Sequence, residues 1–282
     1  MIDLRQVAAA PWEEDLLVTA RHKGLVDVWS LERAAHCATF ETIWDYGGWR
    51  GALVPGEHPV VVAGAWERHG VCGYDLTGQR LWQDRSRTNV EAVTALAGGR
   101  VVVTHLRRAT RVLEAATGEE VRSLRGVLRV IALTSDLSLG VGGGWCRLLD
   151  GSLDPLGPRI ATGPGPVWFA AGDGEHLAFT DNGFLRILDS DGRERARVPE
   201  HFRLVLHDPV TGTWVAVGET FEGKNSLIRL SDDGEVLEQR PWDLRVGGTA
   251  TMRGGRTLIV ITAEGVQVVN CADWSVRWLE AP

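Results

Sequence analysis

Lysine is almost missing from this chain, since only Lys23 and Lys224 among its 30 basic residues are lysines. So strong an arginine bias is typical of a GC-rich bacterial genome, and we expect a bacterial source. The net charge of −7 argues against a dedicated nucleic-acid binder, because such domains are usually basic. No apolar run approaches the roughly 18–20 residues of a membrane helix, and residues 1–6 lack the features of a secretory signal. We therefore expect a cytoplasmic protein without membrane contact.

The cysteines are few and far apart, and no Cys-x-x-Cys pair occurs. This spacing argues against a disulfide framework or a zinc site and favours buried free thiols in a reducing compartment. The His-Glu-x-x-His and Gly-x-Ser-x-Gly motifs are also missing. We assign no catalytic residue, no cofactor and no metal ligand. The cysteines are Cys37, Cys72, Cys146 and Cys271.

A strand-turn-strand unit recurs about every forty residues. In each copy an apolar strand ends at a polar residue, a turn follows, and a more polar strand comes next. Asp, Asn and Ser suit the polar position because they accept hydrogen bonds from the backbone two residues on, and glycine supplies the positive φ of a tight hairpin. The polar markers are Ser30, Asp75, Glu114, Asp150, Asp189, Ser231 and Asn270.

The spacing of these markers predicts the fold class. Successive markers are separated by 45, 39, 36, 39, 42 and 39 residues, close to the roughly 40–45 of a four-stranded blade. Seven markers predict an all-β protein, a seven-bladed β-propeller with four antiparallel strands per blade. We expect residues 1–282 to form a single domain of this kind, and because no segment has a sustained 3.6-residue period we expect almost no helix.

The strand patterns are consistent with such blades. Continuous β-branched runs at 59–63, 100–104 and 257–261 indicate strands buried on both faces, as expected for the second strand of a blade. If the first strand is Arg5–Ala10 and the last is Val276–Glu280, blade 1 begins with its inner strand. The ring then closes by side-chain packing, without a donated strand. A one-strand offset at Met1–Gln6 stays open as the alternative.

The turns also carry a resemblance to known propellers. The segment 74–82, Tyr-Asp-Leu-Thr-Gly-Gln-Arg-Leu-Trp, resembles the strand-turn-strand core of a quinoprotein (PQQ) repeat, and 113–121 is similar. At the level of the period, the whole chain resembles WD40 and quinoprotein-like propellers. No Trp-Asp dipeptide closes a third strand, so the WD40 hydrogen-bond tetrad is not expected. The resemblance implies the fold and does not transfer a cofactor.

A propeller sorts its loops onto two faces. The loops that join the second to the third strand, and one blade to the next, lie on what we name the first face. The two other kinds of turn lie on the second face. By this sorting the second face is acidic, which suits a solvated surface. Its acidic residues include Glu13, Glu14, Asp15, Glu57, Glu119, Glu120, Asp136, Asp173, Asp189, Asp191, Asp232, Asp233 and Asp273.

The first face is rich in Trp, Tyr and Arg, the residue types that dominate binding hot spots. We therefore predict a non-catalytic interaction module or scaffold that binds a partner protein here, as a subunit of a bacterial multi-protein assembly. Packing of Trp44 and Trp49 between blades 1 and 2 is an equally weighted alternative for those two residues. The predicted contact residues are Trp44, Tyr46, Trp49, Arg50, Trp66, Arg68, Arg85, Arg87, Arg107, Arg108, Trp145, Phe202, Trp242 and Arg245.

Two other functions stay open at this point. A small-molecule or metal-dependent hydrolase of the lactonase-like kind would use the central channel, but the predicted inner strands are mostly apolar. A polyanion could bind the arginine-rich face, with an affinity that falls steeply with salt. Four histidines on the first face could converge at the channel mouth or be scattered over the surface; they are His22, His69, His105 and His201.

Overall fold

The computed structural model describes residues 4–44, 48–66, 69–106, 108–199, 201–219, 225–242, 246–262 and 264–279. Within these ranges the chain forms 28 strands and two single-turn 3-10 helices. The strands pair into seven four-stranded antiparallel sheets, each made of four consecutive strands. The predicted seven-bladed β-propeller, with almost no helix, is confirmed.

Blades 1 to 3 each run from an inner strand at the channel to an outer strand at the rim. Blade 1 contains a 3-10 turn, His22–Gly24, between its second and third strands. The strands are β1 (Leu4–Ala8), β2 (Leu16–Arg21), β3 (Leu25–Ser30) and β4 (Ala35–Glu41) in blade 1, β5 (Arg50–Val54), β6 (Val60–Gly64), β7 (Val71–Tyr74) and β8 (Arg80–Asp84) in blade 2, and β9 (Val90–Leu96), β10 (Arg100–His105), β11 (Thr110–Glu114) and β12 (Glu120–Leu124) in blade 3.

Blades 4 to 7 repeat the same order, and a 3-10 turn, Arg253–Gly255, joins the first two strands of blade 7. The strands are β13 (Arg129–Ala132), β14 (Leu137–Gly142), β15 (Trp145–Asp150) and β16 (Pro155–Ala161) in blade 4, β17 (Ala170–Gly172), β18 (Leu177–Asp181), β19 (Phe184–Leu188) and β20 (Glu194–Pro199) in blade 5, β21 (His201–Asp208), β22 (Thr213–Glu219), β23 (Asn225–Leu230) and β24 (Val236–Trp242) in blade 6, and β25 (Val246–Met252), β26 (Thr257–Thr262), β27 (Val266–Asn270) and β28 (Val276–Leu279) in blade 7.

Each polar marker is the last residue of a third strand or the residue directly after it, and the side chains of Asp75, Asp150 and Asp189 stabilise the turns that follow. Asp75 Oδ1 accepts hydrogen bonds from the backbone N–H groups of Thr77 and Gln79, both at 2.9 Å. Asp150 and Asp189 accept the equivalent bonds from residues two and four positions on. Glycines with positive φ complete the turns of blades 2, 3, 5 and 6. The local side-chain chemistry therefore produces the repeat.

The second strands are buried on both faces because each one contributes to two interfaces. Val101 and Val103 pack into the cluster between blades 2 and 3, whereas Val102 packs into the cluster between blades 3 and 4. In the sheet, Val101 lies opposite Ala95 on one side and Leu113 on the other. Full burial of a valine side chain contributes about 1.5–3 kcal/mol. Each of the seven buried clusters formed by the described residues lies between two neighbouring blades.

The ring closes between blade 7 and blade 1 by packing of side chains. Leu17 and Trp29 of blade 1 share one buried cluster with Ile261 of blade 7. On the second face Arg256 Nη2 lies 3.1 Å from Glu14 Oε1. Blade 1 begins with its own inner strand, so the closure without strand donation is confirmed and the one-strand offset does not occur. In the described ranges there is no helix long and apolar enough to cross a membrane.

Candidate binding face

The first-face connection between blades 1 and 2, residues 42–49, contains Trp44 and Trp49, the two tryptophans for which packing was the alternative to partner contact. Trp49 is only 4 % exposed and belongs to the cluster between blades 1 and 2. Its indole Nε1 donates a 3.0 Å hydrogen bond to Thr42 Oγ1. A Cβ added to Gly51 would lie 2.1 Å from its ring, so glycine is required there. Trp49 is therefore a packing residue and has no surface left for a partner.

Trp44 is half-buried and its ring faces the exposed His22, with 5.7 Å between the ring centroids. A Cβ on Gly24, which has a φ of +72°, would approach the Trp44 Cβ within 2.9 Å. The glycine at the end of the 3-10 turn thus makes room for Trp44 on the loop of blade 1. Trp44 keeps part of its surface in solvent and stays a candidate contact residue.

Two more predicted contact residues have packing roles in this structure. Phe202 is 8 % exposed, because it packs into the cluster between blades 5 and 6. Trp145 lies against Gly142, and the Arg159 guanidinium stands 4.3 Å from the centroid of its ring. This cation–π contact covers one face of the indole. Trp145 is therefore half-buried and not exposed.

The predicted contact arginines differ in the solvent exposure of their side chains. Arg85 and Arg108 are exposed. Arg87 is half-buried and donates to the Ala109 carbonyl oxygen at 3.3 Å. Tyr46, Arg68, Arg107 and Arg245 lie outside the described residues, as does the side chain of Trp242.

The channel opens on the first face in a cavity of about 1060 Å³. Predicted contact residues Arg50 and Trp66 line it, and Arg50 Nη1 donates to the Trp49 carbonyl oxygen at 3.0 Å. Glu91 and Arg129 of the neighbouring inner strands complete its charged lining. The structure therefore brings part of the predicted contact set together at the channel mouth.

Trp168 and Leu128 at this mouth were not among the predicted contact residues. Their side chains are 57 % and 54 % exposed, so two large apolar side chains of the lining lie open to solvent. The Arg129 guanidinium lies 5.3 Å from the centroid of the Trp168 ring. Counting the repeat assigns residue 168 to the loop between blades 4 and 5. Because this loop lies on the first face, the repeat alone could have identified Trp168 as a candidate contact residue.

The charges at the mouth are partly removed from water. Burial lowers the pKa of the Arg129 guanidinium, the Arg50 charge lowers it further, and Glu91 raises it. Arg129 stays protonated at neutral pH, because a guanidinium group is not deprotonated in proteins. Two guanidinium groups and one carboxylate leave an excess of positive charge beside the exposed Trp168.

Below the mouth the channel narrows to a space of about 250 Å³ between the inner strands. Its lining is mainly small and apolar, for example Ala8, Ala95 and Ala250, with threonine hydroxyls from Thr94 and Thr249. Among the described residues that line both parts of the channel, Glu91 is the single carboxylate. A lactonase-like metal site needs several oxygen or nitrogen ligands, so the hydrolase alternative is not favoured.

Two arginines of third strands, Arg111 and Arg229, are buried in ion pairs, and neither was among the predicted contact residues. Arg229 lies beside the fully buried Asp208, with Nη1 3.3 Å from Oδ2, and its Nη2 donates to the Cys271 carbonyl oxygen of the next blade. Arg111 bridges Asp84 of blade 2 and Glu120 of its own blade. These arginines connect neighbouring blades and do not contribute to the first face.

The first-face histidines whose side chains the structure describes differ in burial. His22 and His69 are exposed, the side chain of His201 is outside the described residues, and His105 is 2 % exposed. Burial lowers the pKa of His105, whose Nδ1 lies 3.2 Å from the Thr88 carbonyl oxygen. The structure instead brings His176 and His207 together on the second face.

Comparisons with known proteins agree with this architecture. The sequence matches no protein-family profile and no curated protein. The solved structure of U3-55K is similar over 93% of this chain and 89% of that chain, with 14% identity and a TM-score of 0.68. The RRP9 WD40 repeats match over 93% and 88%, with 14% identity and a TM-score of 0.69. BamB from Moraxella catarrhalis matches over 93% and 94%, with 16% identity and a TM-score of 0.60.

These similarities show the fold. The chain is a seven-bladed β-propeller of the architecture found in WD40 and PQQ-like propellers, and the resemblance drawn from its turns is confirmed at that level. With identities of 14–16%, the shared architecture carries no function by itself.

Proposed function

We propose that this propeller is a non-catalytic interaction module that binds a partner protein through its first face. The observation that carries the proposal is the channel mouth, where the exposed Trp168 stands beside Arg129 and Arg50 over a cavity of about 1060 Å³. Aromatic and arginine side chains around a concave surface are the usual anchors of a protein interface. The apolar inner strands below it support binding rather than catalysis.

The chemistry of the mouth favours an acidic, partly apolar segment of the partner. A carboxylate can form paired, charge-assisted hydrogen bonds with a guanidinium, and such bonds strengthen where water is excluded. Arg129 is already partly desolvated and carries an excess positive charge together with Arg50. An apolar side chain of the partner would cover Trp168 and Leu128.

The outer part of the first face supplies further contacts in this proposal. The predicted residues with accessible surface there are Trp44, Arg85, Arg87 and Arg108, and Trp66 adds to them from the channel mouth. Tyr46, Arg68, Arg107, Trp242 and Arg245 stay predictions. We propose further that the protein works in the bacterial cytoplasm as a subunit of a multi-protein assembly, a source supported by the scarcity of lysine.

Affinity purification of the tagged protein from its host, with mass spectrometry, tests the proposal. The Trp168→Ala and Arg129→Gln variants are expected to weaken binding of the recovered partner about 30-fold or more, since a hot spot contributes about 2 kcal/mol or more and 1.4 kcal/mol is a factor of ten. Trp278→Ala is the matched control, because Trp278 is 42 % exposed on the outer strand of blade 7.

All three variants should keep the wild-type melting temperature within a few degrees. Partner binding that is unchanged in Trp168→Ala and Arg129→Gln would reject the first face as the binding surface. A partner that is lost on nuclease treatment would instead identify a polyanion as the ligand.

A further inference from the structure

A compact group of potential metal ligands lies on the second face, at the boundary between blades 5 and 6. Asp173 and His176 belong to the turn between β17 and β18, and His207 lies near the end of β21. One ligand atom from each of these three residues lies within 4.8 Å of the other two. The two histidines are 31 positions apart in sequence, and the packing of the blades brings them together. This group is remote from the first face.

The two imidazole rings direct nitrogen atoms at one carboxylate. His207 Nδ1 lies 3.2 Å from Asp173 Oδ2, and His176 Nδ1 lies 3.6 Å from Asp173 Oδ1. His176 Nδ1 is buried and has no hydrogen-bond partner. The rings are stacked, with centroids 5.6 Å apart and an interplanar angle of 25°. A cation between these atoms would satisfy the unpaired nitrogen and the carboxylate together.

The side chains of the group are held in place by their neighbours. Asp173 Oδ1 accepts hydrogen bonds from the backbone N–H groups of Glu175 and His176, both at 3.0 Å. The His207 ring is mostly buried and lies 4.8 Å from the Trp214 ring.

A second carboxylate stands behind His176. Asp232 Oδ2 lies 3.4 Å from His176 Nε2, on the side of the ring away from Asp173. Asp232 Oδ1 in turn accepts a 3.0 Å hydrogen bond from the fully buried Trp214 indole. In metalloproteins a carboxylate in this position accepts the second N–H of a ligating histidine and fixes the ring for the metal.

We propose that Asp173, His176 and His207 bind one divalent transition-metal ion of the zinc type. Two imidazole nitrogens and one carboxylate oxygen form a ligand set suited to Zn²⁺, whereas Ca²⁺ and Mg²⁺ prefer oxygen ligands throughout. Asp232 orients His176 and is not itself a ligand. Because Asp173 and His176 come from blade 5 and His207 comes from blade 6, the bound ion fastens two neighbouring blades.

Zinc titration of the metal-free protein at neutral pH, followed by calorimetry and metal analysis, tests this site. We expect one Zn²⁺ per chain and a melting temperature that rises by about 5–10 °C at a hundredfold excess over Kd. His176→Ala and Asp173→Asn should each abolish stoichiometric binding of Zn²⁺. The asparagine keeps a side-chain oxygen that accepts the hydrogen bonds from the backbone of the turn, so the turn itself should be preserved. Asp232→Asn should weaken binding about 10–100-fold. His58→Ala is the matched control, because His58 is an exposed histidine in the corresponding turn of blade 2.

Co²⁺ in place of Zn²⁺ gives a second readout, since its visible absorption reports nitrogen ligands in the wild type and should be lost in His176→Ala. Binding of less than one Zn²⁺ per chain, or equal loss of binding in His58→Ala and His176→Ala, would overturn the proposal. Preferential binding of Ca²⁺, unaffected by His176→Ala, would overturn it as well.

Discussion

The indole Nε1 of Trp82 donates a 2.7 Å hydrogen bond to the carbonyl oxygen of Ala115, from the outer strand of blade 2 to a turn of blade 3. The ring also lies over Gly118, where an added Cβ would come within 2.6 Å of it. Gly118 has a φ of +75°, so both its conformation and its contact require glycine. This tryptophan therefore locks two blades together at the second face.

Replacing Trp82 with phenylalanine keeps an aromatic ring and removes the donor. We expect the free energy of unfolding to fall by about 1–3 kcal/mol, because the Ala115 carbonyl loses its partner. Urea denaturation should show a lower midpoint with an unchanged slope. Trp278→Phe, at an exposed position on blade 7, should stay within about 0.5 kcal/mol of the wild type. Equal effects of the two substitutions would contradict a specific role for the Trp82 bond.

The closure of the ring should depend on apolar packing rather than on the ion pair at its edge. Ile261→Ala removes a fully buried side chain from the cluster between blades 7 and 1, and should cost about 2–5 kcal/mol. Glu14→Gln breaks the exposed pair with Arg256 and should cost at most about 1 kcal/mol. Denaturant unfolding of both variants measures the comparison. A larger loss in Glu14→Gln would show that charge closes the ring.

Stability should depend on the ionised state of Asp84. Burial raises the pKa of this carboxyl, but hydrogen bonds from Ser86 and Arg111 outweigh it and lower the pKa to about 2, against 3.8 as the ordinary value. The stabilisation is therefore present above about pH 4 and is lost as the pH falls towards 2. Asp84→Asn should be less stable than the wild type at pH 6, and the gap should narrow at pH 3. Unfolding curves in which the gap is constant with pH would refute this assignment.

The four thiols should differ sharply in reactivity. Cys37 is exposed, whereas Cys72, Cys146 and Cys271 are buried. Burial raises the pKa of Cys146 and Cys271 to about 12, so little reactive thiolate forms at neutral pH. A disulfide reagent such as DTNB at pH 8 should modify one thiol rapidly in the native protein and all four after unfolding. Cys37→Ser should remove the rapid phase, and a rapid phase that survives would contradict this burial.

The fold was predictable from the sequence because each repeat is defined by residues that lie only a few positions apart in the chain. Asp75 and Gln79 are four positions apart and define a turn by themselves. The continuous valine run of β10 indicates burial on both faces, and this can be predicted without knowing the positions of the neighbouring blades. Seven such units in one chain predict a closed ring of seven blades.

The candidate site was only partly predictable, since burial within a loop depends on distant residues. Trp49 and Trp168 are both first-face tryptophans, yet the first fills a gap over Gly51 and the second stays in solvent. His176 and His207 meet only after two blades pack. No sequence pattern distinguishes them from isolated surface histidines.

The boundary between blades 7 and 1 differs from the other six in its connectivity. Blades 1 and 2, and each later pair, are joined by the chain itself, whereas blades 7 and 1 lie at opposite ends of the described sequence. When packing fails at a joined boundary, the connecting loop keeps the partners at high effective concentration, so they re-form quickly. At the unjoined boundary that tether is missing. We therefore expect thermal opening of the ring to begin there, and a molecule that contacts both blades at once to delay it.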